Sequence, residues 1–280
     1  MRFDHAVIGV ADLDRAIAAY AALGFVVLPG GRHTGEGTHN AIIRFGLDYL
    51  ELMAVHDPAL ARSRPFGSQL LDFLADRDGG LIGYVVAGED LDTLAQAMRG
   101  TGLEPTGPFA MQRERDDGNI LRWRLLFPSG QRWRDIAPFV IEWATGDADR
   151  TAWDAPVPHP NGVTGVSGLV VVAPDLARAS QIYGRALGLP IDPDGAGRAR
   201  SAVGGVAIEL FSSAERTGAG DRSGPIGEGL HEIVLQVNDM AAAAKVIPGL
   251  DRGAGGRYRI PPRSALGARL VVAEVSGPGS

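Results

Sequence analysis

The chain contains no cysteine among its 280 residues. Disulfides, thiolate nucleophiles, iron–sulfur clusters and cysteine-held zinc are therefore excluded. No apolar run approaches the ~18 residues that a membrane span needs, so no transmembrane helix is expected. A basic stripe is missing too: 27 Lys and Arg stand against 33 Asp and Glu, a net charge of −6. This argues against a nucleic-acid partner. The first ten residues, MRFDHAVIGV, carry an early acid and no basic-then-apolar leader, so a cytoplasmic location is expected. No serine sits in a GxSxG elbow. GAGGR at 253–257 follows no clear strand and opens no helix, which rejects it as a phosphate loop, and no organic cofactor is expected.

What is present is a globular composition. Hydrophobic residues make up 45% and charged residues 21%, enough to bury a core. At about 100–200 residues per domain, the length suggests two domains. Glycine and proline, 39 and 18 in number, cut the chain into short elements, and one short unit recurs. FDHAVIGV (3–10) reads as a strand. Asp12 caps a helix that carries Leu13, Ile17 and Tyr20 on one face, and Gly24 ends it. Three β-rich stretches follow, at 25–30, 38–46 and 49–55, completing the order βαβββ. The strand-then-cap signal returns at Asp90, Asp175 and Asp239. Each copy ends on a strand with a glutamate: Glu51, Glu142, Glu209 and Glu274. A lone βαβββ unit leaves an apolar face and open edges, so the units should pair. The expected class is α+β, with four modules in two domains of curved, eight-stranded mixed sheets. The first domain is placed at 1–146 (modules 1–55 and 80–145) and a Pro/Asp-rich linker at 147–162. A second domain is placed at 163–280, with its fourth unit the weakest match.

The stretches DHAVIGVADLD, GGRHTGEGTHNAIIRFGLDYLELMAV, LRWRLLF, PFVIEW and IYGRALGLP resemble the vicinal oxygen chelate superfamily. That group includes glyoxalase I, extradiol dioxygenases and resistance proteins of the bleomycin and fosfomycin type. The N-terminal half more narrowly resembles its glyoxalase-like domain proteins. The resemblance implies a cleft in each module pair, with a divalent metal held by the first-strand residue and fourth-strand glutamate of each module. Carried over, the ligand positions are His5 and Glu51 in module one, with Gly83 and Glu142 in module two. The implied metal set is His5, Glu51 and Glu142, for Zn, Fe, Mn, Ni or Co. The second domain offers Gly168, Glu209, Glu232 and Glu274, with His231 one residue out of register, and is expected to be degenerate.

Strand parity assigns faces. Tyr49, Glu51 and Met53 oppose Leu50, Leu52 and Ala54; Asn40 and Arg44 oppose Ala41, Ile43 and Phe45. In module two, Leu121, Trp123 and Leu125 are assigned to the packed face, leaving Arg122 and Arg124 in the cleft; Trp123 and Trp143 are read as core. The expected cleft thus holds Glu51 and Glu142 as proton-moving groups. His33, Asn40, Arg44, Arg122 and Arg124 are its substrate-binding groups, the arginines suited to a carboxylate or phosphate. Two functions follow: a metal-dependent enzyme on a small, oxygen-rich anionic substrate, of lyase, isomerase or dioxygenase type, or a metal-free small-molecule binding protein. The expected partner is a small molecule, and the assembly a monomer or homodimer.

Overall fold

The computed structural model describes residues 1–114, 118, 120–153, 155–195, 197–212 and 227–275. Four aspartates start four helices in the same way. The Asp12 carboxylate accepts the Arg15 N–H at 2.9 Å, Asp90 that of Thr93 at 3.1 Å, Asp175 that of Arg178 at 3.0 Å and Asp239 that of Ala242 at 2.9 Å. Each bond satisfies a first-turn donor that has no partner within its helix.

Module one runs β1 (Arg2–Val10), α1 (Leu13–Ala22), β2 (Leu28–His33), β3 (Thr38–Arg44) and β4 (Tyr49–Val55). Two short helices follow, α2 (Pro58–Arg62) and α3 (Pro65–Leu74). Module two runs β5 (Gly79–Ala87), α4 (Leu91–Gly100), β6 (Thr106–Glu114), β7 (Ile120–Phe127) and β8 (Phe139–Trp143). These eight strands close into a barrel in the order β1-β4-β3-β2-β6-β7-β8-β5. β1 pairs in parallel with β4 and antiparallel with β5, while β5 pairs in parallel with β8. The opposite seam, β2 against β6, is held by the pairs Arg32–Glu114 and His33–Arg113.

After α5 (Asp147–Trp153) come β9 (Val163–Val172), α6 (Leu176–Ser180), β10 (Ile191–Pro193), β11 (Arg198–Val203) and β12 (Val206–Phe211). The last unit has β13 (Gly229–Val237), α7 (Met240–Val246), β14 (Asp251–Arg252), β15 (Tyr258–Ile260) and β16 (Leu270–Glu274). These strands form an open sheet, β10-β11-β12-β9-β13-β16-β15-β14. The unit hardest to recognise in sequence has middle strands of two and three residues, too short to carry an alternation pattern.

One apolar core runs from the outer face of the barrel into the second sheet. At its centre the Tyr84 and Tyr183 hydroxyls meet, and both donate to the Ile136 carbonyl. The Pro/Asp-rich segment between the sheets is docked as well. His159 accepts the Val26 N–H at Nδ1 (3.0 Å), which leaves Nε2–H to donate to the Arg44 carbonyl at 3.1 Å. Arg150 on α5 is buried, 3.9 Å over the Trp143 ring and 3.5 Å from Asp4.

A second apolar cluster fills the barrel itself, including Val7, Val85, Trp123, Phe127, Phe139 and Ile141. It surrounds a cavity.

Candidate functional site

Alternation along the strands decides what enters the barrel. On β1, His5 and Val7 point inward; on β4, Tyr49, Glu51 and Met53 do; on β3, Thr38 and Asn40 do. Module one therefore supplies a polar pole. Module two supplies a wall: Val85, Met111, Trp123, Leu125, Phe139, Ile141 and Trp143 line the same space, closed by Phe66 of α3 and by Trp133. The cavity measures about 100 Å³.

Glu51 is the centre of the polar pole and is only 5% exposed. Asn40 donates to its Oε1 through Nδ2. His5 Nε2 stands 3.5 Å from Oε2, and His33 Nε2 stands 3.6 Å from Oε1. The register explains the bracketing: His5 pairs with Tyr49 on one side of Glu51, whereas Thr38, which holds His33, pairs with Val55 on the other. Both rings are anchored through Nδ1, His5 to Asp4 at 2.8 Å and His33 to the Thr38 hydroxyl at 2.9 Å. His5 also stacks on Tyr49, with centroids 4.5 Å apart.

Burial pushes His33 down to about 4, even though Glu51 opposes the shift. Its imidazole is neutral at ordinary pH. Asp4 is wholly buried, which alone would raise it. Its hydrogen bond from His5 and the charges of His5, Arg150 and Arg2 hold it below the usual carboxylate value instead. Trp143 Nε1 donates to the same carboxylate at 3.0 Å.

His5, His33, Asn40 and Glu51 thus converge, and module two departs from the expected pattern. Leu125, Trp123, Ile141 and Trp143 face the cavity; Arg122, Arg124 and Glu142 do not line it. Arg122 is exposed. Arg124 pairs with Glu142 and, at 2.6 Å, with Asp92 of α4. The parity argument assumed that the more apolar face of β7 packs on the helix, but here the barrel interior is the apolar side. Matching Glu142 to Glu51 put it on the wrong face of its strand: Phe139, Ile141 and Trp143 point inward on β8, as Tyr49, Glu51 and Met53 do on β4. Arg44 is buried beyond Tyr49, 5.3 Å over its ring, and does not line the cavity. The arginine that does line it is Arg113 on β6, whose Nη1 donates to Asn40 Oδ1 at 3.0 Å. Its only sequence signal was alternation within MQRE, beside a charged run.

The four-ligand metal site implied by the superfamily does not fit these residues. Module two presents Val85 and Ile141, which have no donor atoms, and Gly83, where an added Cβ would lie 3.2 Å from the Trp133 ring. His5 and His33 flank Glu51 from opposite sides. Among the described residues no three His, Asp or Glu side chains form a group that could hold a metal ion. In the second sheet, Glu209 faces a smaller cleft and pairs with Arg257 at 3.3 Å.

The chain matches the glyoxalase-like domain family over residues 3–188. It is similar in fold to a hypothetical protein from Staphylococcus aureus, with 16% identity, 98% of this chain and 99% of that one covered, and a TM-score of 0.73. A 2,3-dioxygenase, LapB, from Pseudomonas sp. KL28 superposes at TM-score 0.59 with 14% identity, covering 100% and 93% of the two chains. A mutant 4-hydroxymandelate synthase from Streptomyces coelicolor gives 0.53 and 13%, covering 100% and 94%. No curated protein matches the sequence. At these identities the solved structures speak for the fold alone. The family match spans well over half the chain, through the whole barrel and into the helix that opens the second sheet: the protein belongs to the glyoxalase-like domain family.

Proposed function

We propose that the barrel interior is the reaction site of a small-molecule enzyme in which Glu51 takes a proton from the bound substrate. The carrying observation is a buried carboxylate at the floor of an apolar cavity, hydrogen-bonded by Asn40 and flanked by two imidazoles. A carboxylate held against a bound substrate can take a proton from it directly. His5, oriented by Asp4, stands where it can relay or neutralise the charge that changes on Glu51. Trp123, Trp143 and Phe139 hold the substrate's apolar body and exclude water from the reacting end.

The test is hydrogen–deuterium exchange at the carbon beside a carbonyl. Phenylpyruvate is incubated with protein in heavy water and followed by proton NMR. Wild-type protein should accelerate exchange, and Glu51→Gln should lose about 100-fold or more of that acceleration. Equal rates for the two proteins would overturn the reading.

A second reading is a divalent metal on His5, His33 and Glu51. It draws on both rings being tied through Nδ1, which leaves each Nε2 toward the carboxylate. It requires Glu51 to turn until the three donors share one point. Elemental analysis of purified protein, alongside His5→Ala, separates the two readings: stoichiometric metal lost in the variant would favour the second.

A further inference from the structure

Arg113 is only 6% exposed and lines the cavity, yet its Nε has no hydrogen-bond partner among the described residues. Its Nη1 is spent on the neutral oxygen of Asn40. Among the described residues no ion pair of Arg113 with an Asp or Glu is formed. A buried guanidinium that lacks both a counter-ion and a partner for one N–H is costly. Native interiors keep such a group where something else completes it. Glu51 does not complete it, because Asn40 stands between the two, donating to one and accepting from the other. The rest of the lining is mostly Trp, Phe, Met, Leu, Ile and Val, with Thr38, Tyr49 and Glu36 beside them; the Glu36 carboxyl is raised by burial and has Arg64, not Arg113, as its charged neighbour.

We infer that Arg113 selects the ligand's head group: the cavity takes an amphipathic carboxylate, with one oxygen on Arg113 Nε and an apolar, ring-sized body against Trp123, Trp143 and Phe139. This deepens the proposed function and rests on the barrel interior being the ligand site. The expectation of an anionic ligand, first attached to Arg44, Arg122 and Arg124, passes to a residue the cavity contains. A planar guanidinium meets a carboxylate more specifically than a point charge does.

The experiment uses phenylacetate and its uncharged isostere phenylacetamide, titrated into the full chain while tryptophan fluorescence is followed. Wild-type protein should bind the acid about tenfold or more tightly than the amide. Arg113→Met should bind the two equally, and Arg113→Lys should keep part of the preference. Where a variant does not fold, as judged by circular dichroism, the wild type still decides: phenylacetate should move an arginine Nε–H resonance in a 15N-correlated spectrum, and phenylacetamide should not. A wild type that binds neither probe, that binds both equally, or whose preference survives in Arg113→Met overturns the inference. Loss of preference alongside intact, Glu51-dependent proton exchange would remove the head-group assignment and leave the base. The opposite pattern, a firm preference with no Glu51-dependent exchange, would remove the base and leave a carboxylate-binding cavity.

Discussion

Asn40 joins Glu51 to Arg113: its amide nitrogen donates to the carboxylate and its amide oxygen accepts from the guanidinium. The two charges fix the orientation of the amide, since the reversed rotamer would set oxygen against carboxylate and N–H against N–H. One neutral side chain thereby bridges the two charged groups.

Replacing Asn40 with leucine, of nearly the same volume, should remove both bonds and leave two buried charged groups short of partners. The expected cost is about 3 kcal/mol, read as a lower urea midpoint with an unchanged denaturant slope. A midpoint shift below about 0.5 kcal/mol would mean that the pair is solvated in the folded protein.

Gly30 is required by Asn40. A Cβ at position 30 would lie 1.9 Å from Asn40 Oδ1 and 2.7 Å from its carbonyl oxygen. Gly30→Ala should therefore displace Asn40 and weaken binding of any cavity ligand, with a stability loss of about 1–3 kcal/mol from overpacking. Unchanged binding with unchanged melting would contradict the placement of β2 over β3.

His33 makes stability depend on pH in a defined window. Its value is about 4 in the folded protein against 6.5 ordinarily. Between these values the unfolded chain binds a proton that the folded chain does not, so stability is full above about 6.5 and falls as pH drops toward 4. The loss by the lower end is roughly 3 kcal/mol. Asp4, held below its ordinary 3.8, adds to the loss in the same direction at still lower pH. In His33→Gln, urea midpoints measured across pH 4 to 7 should flatten; a slope identical to wild type would assign the dependence elsewhere.

Arg150 secures the segment between the sheets to the back of the site. Arg150→Met keeps much of the packing on Trp143 but removes a buried charge from Asp4. It should cost about 2 kcal/mol. It should also shift the His5 ring resonances, which Asp4 holds, while leaving those of His39 and His56 in place.

The repeat was legible because capping is local chemistry: an aspartate two or three residues past an apolar strand announces itself in sequence, and Asp12, Asp90, Asp175 and Asp239 all cap helices. Module one was legible for a related reason. Its strands mix polar and apolar residues, so His5, Asn40 and Glu51 mark the inward face by contrast. Module two inverts that contrast: Trp123 and Ile141 face inward while Arg124 and Glu142 pair outside. Alternation fixes which residues share a face but not which face is the barrel interior. Arg113 escaped notice because its partner lies 73 residues away, and nothing short-range announces a contact made by barrel closure. His159 and Arg150 escaped for the same reason, within a stretch whose Pro and Asp content reads as a loose connection.

The barrel is zipped shut by the pairing of β2 with β6, and the residues at that zipper are Arg32, His33, Arg113 and Glu114. Two of these, His33 and Arg113, reach the cavity. The weakest seam of the cylinder and one side of its chemistry are therefore the same few residues. Parting this seam would open a side door to the cavity and pull Arg113 away from Asn40, while His33, tied to Thr38 on β3, would stay beside Glu51. A guest gripped from both sides of the seam would act as its latch. Amide exchange at positions 32, 33, 113 and 114 should accordingly be faster than at the β1–β5 junction in the free protein, and should slow when phenylacetate binds.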